Sequence, residues 1–253
     1  MMRVIYCGDT TLDSAAAYLA GLICHGGHDL TYLPSDQPFE AKMLDGISSQ
    51  RVVFVFSDYP STQIEKNAQQ SVLDHVAAGA GLVMIGGWES FHGVGGDWDG
   101  TPIGDALPVE ISSQDDRVNC HQPVLVDALQ PQHPITASLP WAKRPPVIGG
   151  FNRLTARADS ETLLEAVTHS AQKISTEFTI SEVERTPLLV VGRHGNGRTV
   201  ALATDVAPHW VGPLVDWGDD RVSAAVPGRE GVEVGKLYAT FLEQLLSWAV
   251  GER

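Results

Sequence analysis

The chain has 253 residues, 43% hydrophobic and 19% charged, with 31 acidic against 17 basic side chains and a formal net charge of −14. That length lets a globular protein bury roughly three quarters of its unfolded surface, and the composition is ordinary for one. No basic cluster exceeds the pair Lys143-Arg144, which argues against nucleic acid or an anionic membrane as partner.

Arg3 to Cys7 reads as a buried strand. It is too short and too soon interrupted by Gly8-Asp9 to be a signal peptide. Leu12, Ala15, Ala16, Leu19, Leu22 and Ile23 then recur at helical spacing, and Gly26-Gly27 ends that helix. Asp29 to Leu33 predicts a second strand, Glu40 to Ile47 a weaker helix, and Val52 to Phe56 a strand apolar on both faces that delivers Ser57-Asp58 at its end. Thr62 and Glu65 have capping-box spacing ahead of the stripe Ile64, Ala68, Val72 and Val76, with Gly79 as the stop.

Leu82 to Ile85 is the fourth strand, and it breaks at Gly86-Gly87 into Trp88, Glu89, Ser90, Phe91 and His92. Four alternations of strand and helix predict a doubly wound, mainly parallel α/β sheet, whose ligands sit outside the carboxyl ends of the strands. Those ends carry Asp9-Thr10, Ser57-Asp58 and Gly86 to Ser90.

From Pro108 to Thr186 short alternating pieces between proline and glycine turns predict an antiparallel insertion or extension (108–186) within a single domain, 1–253. Gly195-Asn196-Gly197 marks a hairpin. The strand after it ends at Thr204-Asp205, ahead of His209-Trp210, and Val234 to Val250 is an amphipathic helix. Cys7, Cys24 and Cys120, an odd number at wide spacings, suit a reduced, cytoplasmic protein. No uncharged apolar stretch reaches the roughly 18 residues of a membrane helix.

The motifs GGWESF, GGDWDGTPIGDALPVE, His133-Pro134-Ile135-Thr136, Gly149 to Leu154 and Pro187 to Trp210 follow one another in an order that resembles the glutamine amidotransferase-like proteins. These belong to the class I glutamine amidotransferase-like superfamily. The resemblance implies a flavodoxin-like fold, with a cysteine nucleophile at the turn after the central strand and a His-x-Glu pair after a late strand. This chain has Gly86-Gly87-Trp88-Glu89-Ser90 at that turn and His209-Trp210-Val211 late, so the nucleophile and the Glu are missing. Thioester chemistry depends on a thiolate, so a catalytically divergent binding protein is expected, with Cys7 a small buried hydrophobe.

Glu89 is the candidate acid or base, metal ligand or sugar-hydroxyl acceptor, with His209 its acid–base partner. Ser90 is a candidate nucleophile, although its flanks do not form GxSxG and a helix N-cap role suits it better. Asp9, Thr10, Asp58, Trp88, Phe91, Gly96, Asp205 and Trp210 are the candidate binding residues for a small-molecule ligand. Asp9, Asp58, Asp205 and His209 could converge on a divalent metal, but each aspartate equally suits a cap or a turn, and no cofactor is expected. Trp88, Trp98, Trp210 and Trp217 are either a stacking wall or a cover for the sheet rim or a subunit contact. The overall expectation is a homo-oligomer acting on, or binding, a small polar metabolite such as a carbohydrate derivative.

Overall fold

The computed structural model describes residues 1–252. In chain order the elements are β1 (Arg3–Gly8), α1 (Ala16–His25), β2 (Asp29–Leu33), β3 (Val52–Ser57), α2 (Lys66–Ala77), β4 (Gly81–Ile85), α3 (Pro102–Ala106), β5 (Val109–Glu110), β6 (Arg117–Ala128) and β7 (Val147–Asn152). There follow β8 (Thr155–Ala156), β9 (Glu161–Ile174), β10 (Glu177–His194), β11 (Gly197–Leu202), α4 (Pro208–Val211), β12 (Arg221–Ala224), β13 (Val232–Gly235) and α5 (Lys236–Ala249).

Nine strands form one sheet in the order β2-β1-β3-β4-β11-β10-β9-β6-β7. This corrects the expected doubly wound, mainly parallel, flavodoxin-like sheet. Four of the eight neighbour pairings are parallel, β2-β1, β1-β3, β3-β4 and β4-β11, and the other four are antiparallel. The sheet is mixed, and among the described residues only α1, α2 and α5 reach ten residues. For two of the four antiparallel pairings the cause is local: β9 turns into β10 through Ser175-Thr176, and β10 into β11 through Gly195-Asn196, and loops that short can join only antiparallel neighbours.

The parallel half follows the apolar runs. Val52 to Ser57 and Gly81 to Ile85 are buried at every position, which suits strands covered on both faces. Helix α1 packs against α5, and α2 against α3. Three local expectations fail. The segment near Glu40 is a single 3-10 turn, Ala41–Leu44, and α2 starts after Glu65 with no side-chain cap, because Ser61–Gln63 forms its own 3-10 turn where the capping box would lie. Val234 belongs to β13 and not to the last helix. No helix among the described residues is long and apolar enough to cross a membrane.

Candidate functional site

Strands β1, β3, β4 and β11 run in one direction, so their carboxyl ends deliver Asp9, Asp58, the Gly86 to Ser90 turn and Asp205 to one rim. Asp9 and Asp58 each follow their strand with positive φ, 41° and 50°, and Phe91 in the third loop has φ 51°. Such backbone is uncommon outside glycine and persists only where surrounding contacts hold it. At Asp9 those contacts are explicit: its carbonyl accepts the Ser35 N–H at 2.8 Å and the Tyr32 hydroxyl at 2.9 Å, and its N–H donates to the Asp58 carbonyl at 3.2 Å. Asp58 is held from the third loop, where Ser90 Oγ accepts the Asp58 N–H at 2.9 Å and Asp58 Oδ1 accepts the Glu89 N–H at 2.7 Å.

The two glycines ahead of Glu89 are required by close approach. A β-carbon at Gly87 would collide with the Asp58 carboxylate, and one at Gly86 with the Ala203 carbonyl. The turn is fastened from behind by a network that no sequence motif marks. Asn152, fully buried at the end of β7, accepts the Gly87 N–H at 3.0 Å and donates to the Gly87 carbonyl at 3.2 Å and to Asp116 Oδ1 at 2.7 Å. Asp116 in turn accepts the N–H groups of His92 at 3.1 Å and Gly93 at 3.0 Å. Asp116 lies in a polar stretch with no periodicity, 36 residues from Asn152, so no sequence pattern linked them.

The rim is electrostatically unusual. Burial, reinforced by the charges of Asp58 and Glu89, pushes the Asp9 carboxyl up to about 7. A hydrogen bond from the Tyr6 hydroxyl offsets part of that rise. Asp58 is pushed up to about 6, chiefly by burial and then by Glu89, against the lowering effect of its N–H partners and of His209. Asp205 is raised well above the carboxylate range by burial and by Asp58 and Asp9, and Glu89 is raised by burial. Carboxylates that disfavour one another's ionisation while partly desolvated share protons near neutral pH.

The remaining candidates fall into three groups. Asp205 meets the rim but also closes its own turn, Oδ1 accepting the N–H groups of Val206 at 2.5 Å and Ala207 at 3.1 Å. His209, exposed on α4, lies edge-on to Trp88 with ring centroids 6.4 Å apart, and Thr10 is exposed at the lip of the β1 turn. Ser90 is 1% exposed and begins no helix, so its hydroxyl serves Asp58 and not an N-cap.

The aromatic wall does not form. Trp98, Trp210 and Trp217 are buried, with indole N–H groups donating to the Tyr59 carbonyl, Asn119 Oδ1 and the Arg144 carbonyl. Only Trp88 of the four is exposed, at 48%, and Arg117 lies 4.4 Å over its ring. Phe91 is a core plug with no exposure, and Gly96 is a buried loop glycine whose carbonyl accepts the Ser61 N–H at 2.9 Å. Neither they nor Trp210 can line an open site, because packing inside the loops satisfies them first. Among the described residues no three His, Cys, Asp or Glu side chains are arranged to hold a metal ion. Cys7 is fully buried and its thiol is pushed up by desolvation, the opposite of an activated nucleophile.

No curated protein matches the chain. Among solved structures it is similar to the cytoplasmic protein STM1381 from Salmonella typhimurium LT2, at 25% identity and TM-score 0.73, covering 98% of this chain and 99% of that one. It is also similar to the cytoplasmic protein STM3548 from Salmonella typhimurium (23%, TM-score 0.72, 98% and 99%). A "Putative thua-like protein" from Parabacteroides merdae ATCC 43184 shares the fold at 13% identity and TM-score 0.60, covering 99% of this chain and 90% of that one. The family described as GATase1_like, "Putative glutamine amidotransferase", matches residues 10–222. The chain therefore belongs to the glutamine amidotransferase-like family.

Proposed function

We propose that this protein is a family member without the cysteine nucleophile, and that it binds a small polar metabolite at the rim formed by Asp9, Asp58, Glu89 and Asp205. The observation that carries the reading is the turn after β4. Where a thiol would be presented it offers Glu89, anchored through its N–H to Asp58. Cys7 is sealed in the core, so glutamine hydrolysis through a thioester has no nucleophile at this turn. A second reading is an enzyme of hydrolase or isomerase type in which Glu89 moves a proton with His209 as its partner. It is favoured by carboxyls poised near neutrality, Asp9 at about 7 and Asp58 at about 6, the range suited to general acid–base work.

Cytoplasmic location is supported by the names of the two Salmonella structures, and the acidic surplus disfavours nucleic acid and anionic membranes. A homo-oligomer is supported by Ile174, Phe178, Ile180 and Val183, all more than 60% exposed on the β9–β10 arm.

The test is a thermal-shift screen against sugars, sugar acids, glutamine and divalent metals, run on the parent and on Glu89→Gln and His209→Ala, since whatever binds only the folded state raises its stability. A shift abolished by Glu89→Gln supports a site at this rim, and loss with His209→Ala as well supports the acid–base reading. A ligand whose shift survives both substitutions would place the site elsewhere.

A further inference from the structure

Strands β9 and β10 outrun their neighbours in the sheet. β6 pairs with β9 only as far as Thr168, and β11 pairs with β10 only from Leu189, which lies opposite Leu202 at the carboxyl end of β11. The two strands therefore continue past the carboxyl edge as a two-stranded arm, paired with each other out to Ile174 and Glu177. Every residue from Ala171 to Val183 is exposed. A ribbon of two strands is marginal in water unless a face of it is packed on something.

Residues opposite one another in an antiparallel pair share a face of the ribbon, and every second residue returns to it. Lys173 is opposite Phe178, Ala171 opposite Ile180 and His169 opposite Glu182, so these share one face. Ser170 with Ser181 and Gln172 with Thr179 fall on the other, which is polar up to the tip. The register thus gathers the apolar side chains on one side, the arrangement of a strand pair with one packed face. Yet Phe178 is 68% and Ile180 69% exposed. Nothing among the described residues covers that face.

Charge is segregated along the same face. Toward the tip, Lys173 Nζ lies 5.9 Å from the Phe178 ring centroid. Among the described residues it pairs with no acid. Toward the base, Glu182, Asp127 and Glu165 share the single cation Arg185, which leaves an acidic surplus there.

Resting on the reading that the protein is a homo-oligomer, we propose that this face docks on the same face of a second copy, the two arms running in opposite directions about a two-fold axis near the Ala171–Ile180 pair. A complementary surface must be apolar at its centre, acidic where Lys173 lands and basic where the acidic base lands. The arm read backwards is such a surface, which is the self-complementarity a two-fold contact requires. Parallel arms would set lysine against lysine. Edge-to-edge pairing would occupy the free backbone groups of the arm but leave Phe178 and Ile180 in water. The contact falls on the side of the sheet that carries the rim.

The experiment is sedimentation velocity of the purified protein over a dilution series, on the parent and on Phe178→Ser, Ile180→Ser and Lys173→Glu. The expected result is a reversible dimer whose dissociation constant rises tenfold or more with either serine and severalfold with the glutamate. Circular dichroism should stay that of the parent, because these side chains are exposed and hold no part of the core. A short bismaleimide linker then reads the register, with the parent as control for its own cysteines. Ala171→Cys should link to itself, whereas Lys173→Cys should link to Glu182→Cys in a mixed sample and not to itself.

A parent that stays monomeric throughout the series overturns the oligomer reading and this inference with it. An oligomer that both serine variants leave unchanged keeps that reading and overturns the docking of the arm. Linking of Lys173→Cys to itself, with none at Ala171→Cys, overturns the antiparallel arrangement.

Discussion

Replacing Asn152 by alanine probes what holds the turn that presents Glu89. The side chain is fully buried and makes three hydrogen bonds, two to the Gly87 backbone and one to Asp116. Its removal leaves the Gly87 N–H and C=O without partners and deprives the Asp116 carboxyl of one donor. A buried neutral group left unpaired costs about 1 kcal/mol at the low end, and one facing a charged partner about 2 kcal/mol, so the total is about 4 kcal/mol. Typical domains have only about 5–15 kcal/mol in all. Urea denaturation is the assay, and with a slope near 3 kcal/mol/M the midpoint should fall by about 1 M. Asn152→Leu separates the causes: it restores volume but no hydrogen bond, so it should be destabilised nearly as much as the alanine variant. A loss below about 1 kcal/mol for Asn152→Ala, or recovery with leucine, would refute the claim that this polar network fixes the turn.

Further expectations concern the same rim. Asp9 and Asp58 have folded pKa values raised to about 7 and about 6, above their unfolded values, so the folded state binds more protons. Their contribution is therefore fully present below about pH 4 and is lost as pH rises through about 6 and 7. Asp9→Asn should raise the melting temperature at pH 8 and flatten its fall between pH 5 and 8, and an unchanged profile would count against the shifts. Gly87→Ala should cost about 2 kcal/mol or more, because the new β-carbon meets the Asp58 carboxylate; a stability within about 0.5 kcal/mol of the parent would mean the loop moves freely. The Cys7 thiol should stay unlabelled by an aromatic disulfide reagent in the native state while reacting once unfolded, and rapid native labelling at Cys7 would contradict its burial.

The sequence was legible where chemistry followed buried strands. Val52 to Phe56 and Leu82 to Ile85 announce themselves as apolar runs, and the polar residues just past such runs, Asp58 and Glu89, must emerge at the rim. Asp9 and Asp205 are found by the same logic. Half of the sheet was not legible. From Thr168 to Glu184 the β9–β10 arm is largely exposed, so it shows little of the inside–outside alternation that marks a half-buried strand, and only its short turns fix it as antiparallel. An antiparallel extension was expected from Pro108 to Thr186, but its strands continue the parallel ones in one nine-stranded mixed sheet, and that continuity is what overturns the mainly parallel, doubly wound expectation.

Tyr6 was hidden for a different reason: in RVIYCG a phenol among aliphatic neighbours reads as core, and only the structure shows its buried hydroxyl beside Asp9. The partner of Ser90 and the choice between the two readings of the tryptophans are not legible in sequence, because residue type does not reveal which neighbour satisfies a polar atom. Ser90 serves Asp58, and Trp98 and Trp210 spend their indole N–H groups inside the protein.

The measurement that tests the central claim most directly is a carboxyl-carbon NMR titration of the parent protein, with Asp9→Asn and Asp58→Asn to assign the shifted signals. The predicted result is two aspartates titrating with midpoints about 7 and about 6, each lost in its own variant and the survivor moving down once its neighbour's charge is gone. If every aspartate titrates below about 5, near the range of an unperturbed carboxyl, the four carboxylates do not share protons, and the rim is a solvated edge of the sheet.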